Sequence, residues 1–175
     1  MTPKILIAYA SATGSTAEIA AEMGKIFSAA GWAADVRPVG EVSGLAGYQA
    51  VLIGSAVQYG RWLPEAVSFV KTHQAALSNL PVALFCVHIR NLEENPASRA
   101  ARRAYLNEVR ALLPAAREVY FAGRFDRDGA ALLLPRWAAR LIPAVDRRDW
   151  MEIRAWAEQA PGMLLQVGGR SGVVN

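Results

Sequence analysis

Residues 4–16 constrain this chain more than any other stretch. The apolar run Ile5-Leu6-Ile7-Ala8-Tyr9 reads as a buried strand. Ser11-Ala12-Thr13-Gly14-Ser15-Thr16 follows, and then apolar residues recur at helical spacing at Ile19, Met23, Ile26, Phe27 and Ala30. A strand that turns directly into an amphipathic helix leaves a phosphate seat between them. Backbone N–H groups at a helix N-terminus lack intrahelical acceptors, and the helix dipole favours negative charge there. The hydroxyls of Ser11, Thr13, Ser15 and Thr16 add donors. The turn has no Lys, which excludes the triphosphate-gripping P-loop. Its single Gly excludes the G-x-G-x-x-G turn that admits a dinucleotide pyrophosphate. What remains is one monophosphate held by hydroxyls and amides, or a plain Ser/Thr helix cap without a ligand.

The rest of the chain alternates strand-like and helical segments, the mark of a doubly wound parallel sheet. Strands are expected at 4–10, 33–38, 49–55, 81–89 and 117–122. Helices are expected at 16–30, closed by Gly31, and at 64–78, opened by Pro64. A further helix, capped by Asn95-Pro96, should reach Leu113 before Pro114. The last should open at Asp149, with Glu152 three residues on, and end near Pro161-Gly162. No second helix can be placed around 45–48. This organisation gives one domain over 1–161, with an irregular insertion at about 124–148, and a Gly-rich tail at 162–175.

The pattern S-A-T-G-S-T at 11–16 resembles the phosphate loop S/T-x-T-G-x-T of the flavodoxin family, and the resemblance extends over roughly residues 4–160. Ile53-Gly54-Ser55-Ala56-Val57-Gln58-Tyr59-Gly60-Arg61 and the late Asp149-Trp150 look most similar to the branch containing the menaquinone-dependent protoporphyrinogen dehydrogenases. The resemblance implies an α/β, flavodoxin-like, five-stranded parallel sheet of order 2-1-3-4-5 with helices on both faces. It implies FMN as cofactor, bound where strands one and three diverge. Three loops meet there, at 11–16, 55–62 and 88–95.

The first loop, Ser11, Ala12, Thr13, Gly14, Ser15 and Thr16, is expected to hold the FMN phosphate. The second, Ser55, Ala56, Val57, Gln58, Tyr59, Gly60 and Trp62, is expected to cover the flavin ring, with Tyr59 or Trp62 stacked on it. Gly60 lets the backbone approach the flavin edge. Arg61 is a candidate to neutralise a reduced flavin or meet an acidic substrate, and Arg90 joins it as a candidate from the third loop. His88 is either a proton donor near the ring or a strand-end histidine satisfied by nearby backbone. No metal-ligand spacing and no Ser-His-Asp set is evident, so no metal is expected and the hard chemistry falls to the flavin.

Charge bears on the reaction. Residues 1–88 hold five Lys/Arg and five Asp/Glu, whereas 89–175 hold fourteen and ten. The excess points either to compositional bias or to an anionic partner, a substrate or a lipid surface. The sequence pI is near 9.6. Electron-carrying flavodoxins are acidic as a family, so this sign disfavours a carrier and favours an oxidoreductase. A porphyrinogen substrate brings two propionates, natural partners for Arg. The resemblance therefore implies FMN-dependent oxidation of protoporphyrinogen IX, a step of porphyrin biosynthesis, with a quinone as acceptor. An electron carrier, an NAD(P)H-quinone reductase and a non-catalytic FMN module are the alternatives. No nucleic-acid motif accompanies the Arg residues. The single Cys, Cys86, lies in an apolar run and reads as an inert core thiol. No apolar run is long enough to span a bilayer, and Met-Thr-Pro-Lys leads straight into the first strand, so a cytoplasmic protein without a signal peptide is expected. The segment 130–143 carries Arg136 and Arg140 on one helical face and Trp137 and Leu141 on the next. It reads either as an interfacial helix at the inner face of the membrane or, preferably, as a helix packed on the domain.

Overall fold

The structure, a computed structural model of the chain, describes residues 1–125, 127, 130–131 and 134–168. Its central sheet takes β1 (Lys4–Ala10), β2 (Ala33–Pro38), β3 (Ala50–Gln58), β5 (Val82–His88) and β6 (Arg117–Ala122) in the order β2-β1-β3-β5-β6. All four pairings along that path are parallel. This is the expected flavodoxin-like order. A short β4 (Arg61–Trp62) folds back antiparallel on the end of β3.

Alternation along the strands sends successive side chains to opposite faces. Leu6, Ala8, Val51, Ile53, Leu84 and Cys86 face one layer, formed by α2 (Pro64–Leu77), α4 (Asn107–Leu112) and the Tyr105-Leu106 break that joins α4 to α3 (Pro96–Ala104). Ile5, Ile7, Leu52, Phe85 and Val87 face the other, formed by α1 (Ser15–Ala29) and the last helix, α6 (Trp150–Gly168). Both faces are covered, which is why the strands read as unbroken apolar runs. Cys86 is fully buried, and burial pushes its thiol up to about 12. At Gly54 a Cβ would lie 1.9 Å from the Phe85 ring, so the glycine is what lets that ring cross β3.

Three expectations change. The helix expected from Asn95 to Leu113 is two helices, because Tyr105 and Leu106 both turn into the core at the break between them. Around 45–48, where no second helix could be placed, the chain makes only a turn at 46–47, and Val39, in a 3-10 turn at Val39–Glu41, and Leu45 cover the sheet. The last helix does not stop near Pro161-Gly162 but continues to Gly168, so the tail expected from 162 begins as helix. An internal proline costs about 3 kcal/mol; the buried stripe Ile153, Ala157, Ala160 and Leu164 carries the helix across it. Residues 169–175 lie outside the described residues, as do Leu132 and Leu133 of the 130–143 segment. Finally, that segment is not one continuous helix: residues 130 and 131 are helical, the chain bends at Leu134, and a single further turn follows, α5 (Arg136–Ala139). Ala130 at the start of the segment and Ala139 in α5 are buried, while Trp137 and Leu141 are 71% and 76% exposed, because so short a helix as α5 presents a single position to the domain.

The N-terminus of α6 forms as expected. Asp149 Oδ1 accepts the N–H groups of Met151 and Glu152 at 2.9 and 3.0 Å. Among the described residues no helix is long and apolar enough to cross a membrane.

Candidate functional site

The three loops 11–16, 55–62 and 88–95 meet at the C-terminal ends of β1, β3 and β5. In the first, Gly14 adopts φ +94° and leads into α1, a conformation side chains disfavour. Its N–H donates to Ser11 Oγ at 3.0 Å, which closes the turn. No side chain caps the helix at Gly14, and the first α-helical bond runs from Glu18 N–H to Gly14 C=O at 3.0 Å. The amides of Ser15, Thr16 and Ala17 therefore precede the helical ladder and have no acceptor within it. The two buried hydroxyls differ. Ser15 Oγ accepts the Arg124 N–H at 3.3 Å. Thr16 is 1% exposed, and its Oγ1 has no hydrogen-bond partner among the described residues. Leaving a buried hydroxyl unpaired costs about 1–3 kcal/mol, so this atom marks a place where an acceptor belongs. Thr13 and Ala12 are half-buried beside it.

The second loop is a β-hairpin. Val57 pairs with Trp62 and Gln58 with Arg61, leaving Tyr59-Gly60 as a two-residue turn with φ +49° and +77°. Positive φ at both positions matches the twist of the flanking strands, and it is unusual for a tyrosine. Register then decides which aromatic is available. Trp62 points with Val57 into the core and is 2% exposed, so the expectation that it stacks on a flavin ring is corrected: it is a core residue. Tyr59 stands outward at 87% exposure. The Ser55 side chain is fully buried, donating to the Ala56 C=O at 2.8 Å and accepting the Leu63 N–H at 3.0 Å. Its hydroxyl fixes the hairpin to the start of α2, and only its backbone lies at the loop. Ala56, Val57 and Gln58 are partly exposed along the strand end.

In the third loop, His88 is 4% exposed and its Nδ1–H donates to the Arg90 C=O at 2.7 Å. Burial lowers its pKa, with the nearby Arg102 acting in the same direction against the Arg90 carbonyl. Of the two readings of His88, this geometry is that of the strand-end residue satisfied by backbone. Its ring lies beside Tyr105 and Tyr120, with centroids 5.7 and 6.5 Å away. Asn91 follows at φ +57°, with Nδ2 donating to the Tyr105 hydroxyl at 2.5 Å and its carbonyl accepting from Arg102 at 3.2 Å.

A fourth segment joins these three, and sequence reasoning left it as irregular insertion. Gly123 N–H donates to His88 C=O at 2.7 Å, and Arg147 N–H donates to Gly123 C=O at 3.1 Å. The strands β7 (Arg124–Phe125) and β8 (Val145–Asp146) pair antiparallel just beyond. Arg148 fastens them to α1. Its guanidinium, 6% exposed, pairs with Asp146 at 2.7 Å and with Glu18, and lies over the Trp150 ring at 4.8 Å. Glu18 also accepts from Arg124 at 3.1 Å. The hydrogen bonds and charges of Asp146 and Glu18 raise the Arg148 pKa against its desolvation. The hairpin and the Ile89–Glu93 loop together line a cleft of about 610 Å³. Glu18, Gly123, Arg147 and Arg148 were all missed. A Glu in the first turn reads as a dipole complement, and nothing local shows that a distant hairpin will meet it. Arg61 and Arg90, paired as candidates, are separated: Arg90 lines the cleft and Arg61 does not.

Comparison with known proteins supplies the family. A flavodoxin domain model matches residues 6–133. The chain belongs to the flavodoxin domain family. A flavodoxin from the domain Archaea covers 93% of the chain and 99% of its own length at 15% identity, with a TM-score of 0.57. A Fusobacterium nucleatum flavodoxin mutant bound to flavin mononucleotide covers 73% of the chain and 72% of its own length at 15% identity, with a TM-score of 0.51. These likenesses concern the fold. A curated relative, protoporphyrinogen IX dehydrogenase [quinone] of Leishmania major, is 36% identical over 67 residues. That stretch is 37% of this chain, which spans only 29% of the relative's length.

The cofactor of this flavodoxin domain is FMN, and the turn fits it. An N-terminal set of amides without side-chain caps and an orphaned Thr16 hydroxyl match a phosphate monoester's acceptors. Space at the Gly14 Cα is open, so it is φ rather than crowding that requires the glycine. Among the described residues no cluster of His, Cys, Asp and Glu has the makings of a metal site.

Proposed function

We propose that this flavodoxin-domain protein is an FMN-dependent dehydrogenase that takes two electrons and two protons from an anionic substrate, with protoporphyrinogen IX the leading candidate, and delivers them to a quinone, which leaves as quinol. The observation that carries this reading is the open cleft of about 610 Å³ lined by the third loop and, from β8 and just beyond it, by Val145 and Arg147. A groove with two exposed arginines in its lining suits an anionic substrate, and the docking of an electron carrier does not call for one. The basic charge balance and the partial match to a protoporphyrinogen dehydrogenase support the same class.

When bound, FMN supplies the capacity to accept two electrons from one partner and return them to another. The chain's own residues do the rest. The amides of Ser15 to Ala17, with the hydroxyls of Thr13 and Thr16, hold the phosphate; Ser11 and Gly14 keep the turn in shape. Tyr59, held in an uncommon backbone conformation at the hairpin tip, covers the ring, and Gly60 brings backbone polar groups to its edge. His88, neutral and tethered to the Arg90 carbonyl, holds the third loop in place. Arg90 faces the substrate's anionic groups.

The test is anaerobic mixing of FMN-loaded protein with protoporphyrinogen IX. Flavin bleaching on mixing, then recovery on adding a quinone, with porphyrin fluorescence appearing as three such two-electron rounds are completed, is the expected result. No bleaching, with rapid one-electron exchange with a reductase instead, would place the protein among carriers. Bleaching by NAD(P)H alone would place it among quinone reductases.

A further inference from the structure

We infer that Arg147 and Arg90 form a two-sided clamp for the carboxylates of an amphiphilic substrate in the cleft between the third loop and the β7–β8 hairpin. The assignment rests, for the identity of the substrate, on the proposed porphyrinogen reading. The clamp itself rests on three features.

The first is pinning. Arg90 is fixed through its carbonyl, which accepts the His88 Nδ1–H at 2.7 Å, and Arg147 through its amide, which donates to Gly123 at 3.1 Å. Gly123 in turn donates to His88 at 2.7 Å, so one short ladder sets the spacing of the two backbones across the cleft. The second is contrast in pairing. The neighbouring arginines are consumed: Arg148 by Asp146 and Glu18, and Arg102 by Glu94 and the Asn91 carbonyl. Arg90 and Arg147 line the cleft, are exposed, and form no ion pair among the described residues. An arginine fork held on a fixed backbone and left without an acceptor is suited to a carboxylate, which it meets through two parallel hydrogen bonds. The third is the company they keep. Ile89 and Val145 line the same cleft at 42% and 36% exposure and offer apolar surface to the body of such a molecule.

One acid also lines the cleft. Glu93 is engaged by the Ser98 hydroxyl at 2.9 Å, and its carboxyl is held below the usual range first by its own backbone and then by Ser98. It is charged at neutral pH, so the charged lining residues, Arg90, Arg147 and Glu93, sum to +1. Glu93 leaves the two arginines unpaired, and sets the end of the cleft that a carboxylate avoids. The Arg148 latch gives the sequence Arg147-Arg148 a division of labour: one residue fastens the hairpin, and its neighbour presents a free charge.

The test uses FMN-loaded full-length protein titrated with protoporphyrin IX and, separately, with its dimethyl ester, which keeps the ring and loses both carboxylates. Arg147→Gln and Arg90→Gln should each weaken the diacid about tenfold or more, the scale of a lost charge-assisted pair. They should leave the ester unchanged. Arg117→Gln, at the far end of β6, controls for net charge, and unchanged FMN content and melting temperature control for folding. If the diacid binds and the variants match the wild type, or lose diacid and ester alike, the clamp is overturned while the porphyrin reading stands. If wild type binds neither porphyrin, the porphyrin reading falls, and the fluorescent fatty carboxylate cis-parinarate judges the clamp. An equal tenfold loss in both variants would keep the clamp for another amphiphile; no loss would remove it.

Discussion

Thr16→Val separates a phosphate seat from a helix cap, because the two readings predict opposite signs. Thr16 is 1% exposed and its Oγ1 has no partner among the described residues. Valine fills nearly the same volume, so the substitution removes an unpaired hydroxyl and little else. An unsatisfied buried hydroxyl costs about 1–3 kcal/mol, so apo-protein carrying Thr16→Val should be more stable than wild type by about 1 kcal/mol. FMN binding should move the other way. A hydrogen bond to a charged phosphate contributes about 1.5–3 kcal/mol, so the dissociation constant should rise by about one to two orders of magnitude. Riboflavin, lacking the phosphate, should bind both proteins alike. Denaturant unfolding of the apo forms and fluorescence titration with both flavins measure all three quantities. An apo-protein destabilised by the substitution would show that the hydroxyl is paired within the fold. Unchanged FMN affinity would show that it takes no part in the seat. Either result refutes the reasoning.

Other outcomes follow from the same geometry. Tyr59→Ala should change flavin fluorescence and reduction potential, whereas Trp62→Phe should mainly lower stability, since Trp62 is a core residue; unaltered flavin spectra in Tyr59→Ala would place the ring elsewhere. His88 has a folded pKa below its ordinary value of 6.5, chiefly through burial. The unfolded chain therefore binds the proton more readily, and stability present above about pH 6.5 should fall as pH drops toward the folded pKa. His88→Asn should flatten that part of the stability profile, which urea midpoints at a series of pH values will show. Gly54→Ala places a Cβ 1.9 Å from the Phe85 ring and should lower stability by about 1–3 kcal/mol or more, measured by thermal unfolding.

The legible parts of this protein are those where local chemistry and tertiary demand coincide. Ile5 to Ala8 are buried on both faces of a parallel sheet, so their apolar run alone announces the strand. Gly14 is required by its own backbone, so the phosphate turn could be read before anything else was known. Asp149 caps the helix that it begins, two and three residues from its partners. The same locality made Pro161 misleading. Its cost is local, but the contacts that outweigh it, at Ala157, Ala160 and Leu164, come from α1 and the sheet face beneath it, far away in sequence.

The sequence by itself determined the alternation of strands and helices, through periodicity, and the short turn at 11–16, whose resemblance to the flavodoxin family implied the sheet order and the cofactor. Tertiary structure alone decided which aromatic could face a flavin. Tyr59 and Trp62 are three residues apart and chemically alike, but the hairpin turn at Tyr59-Gly60 sends one outward and pairs the other with Val57 toward the core. It also decided which arginines are free. Arg147 and Arg148 are identical neighbours; only the meeting of the β7–β8 hairpin with Glu18, 130 positions earlier in the chain, engages Arg148 and leaves Arg147 at the cleft. Charge pairing at that separation is fixed by the packing of whole elements, and no local pattern encodes it.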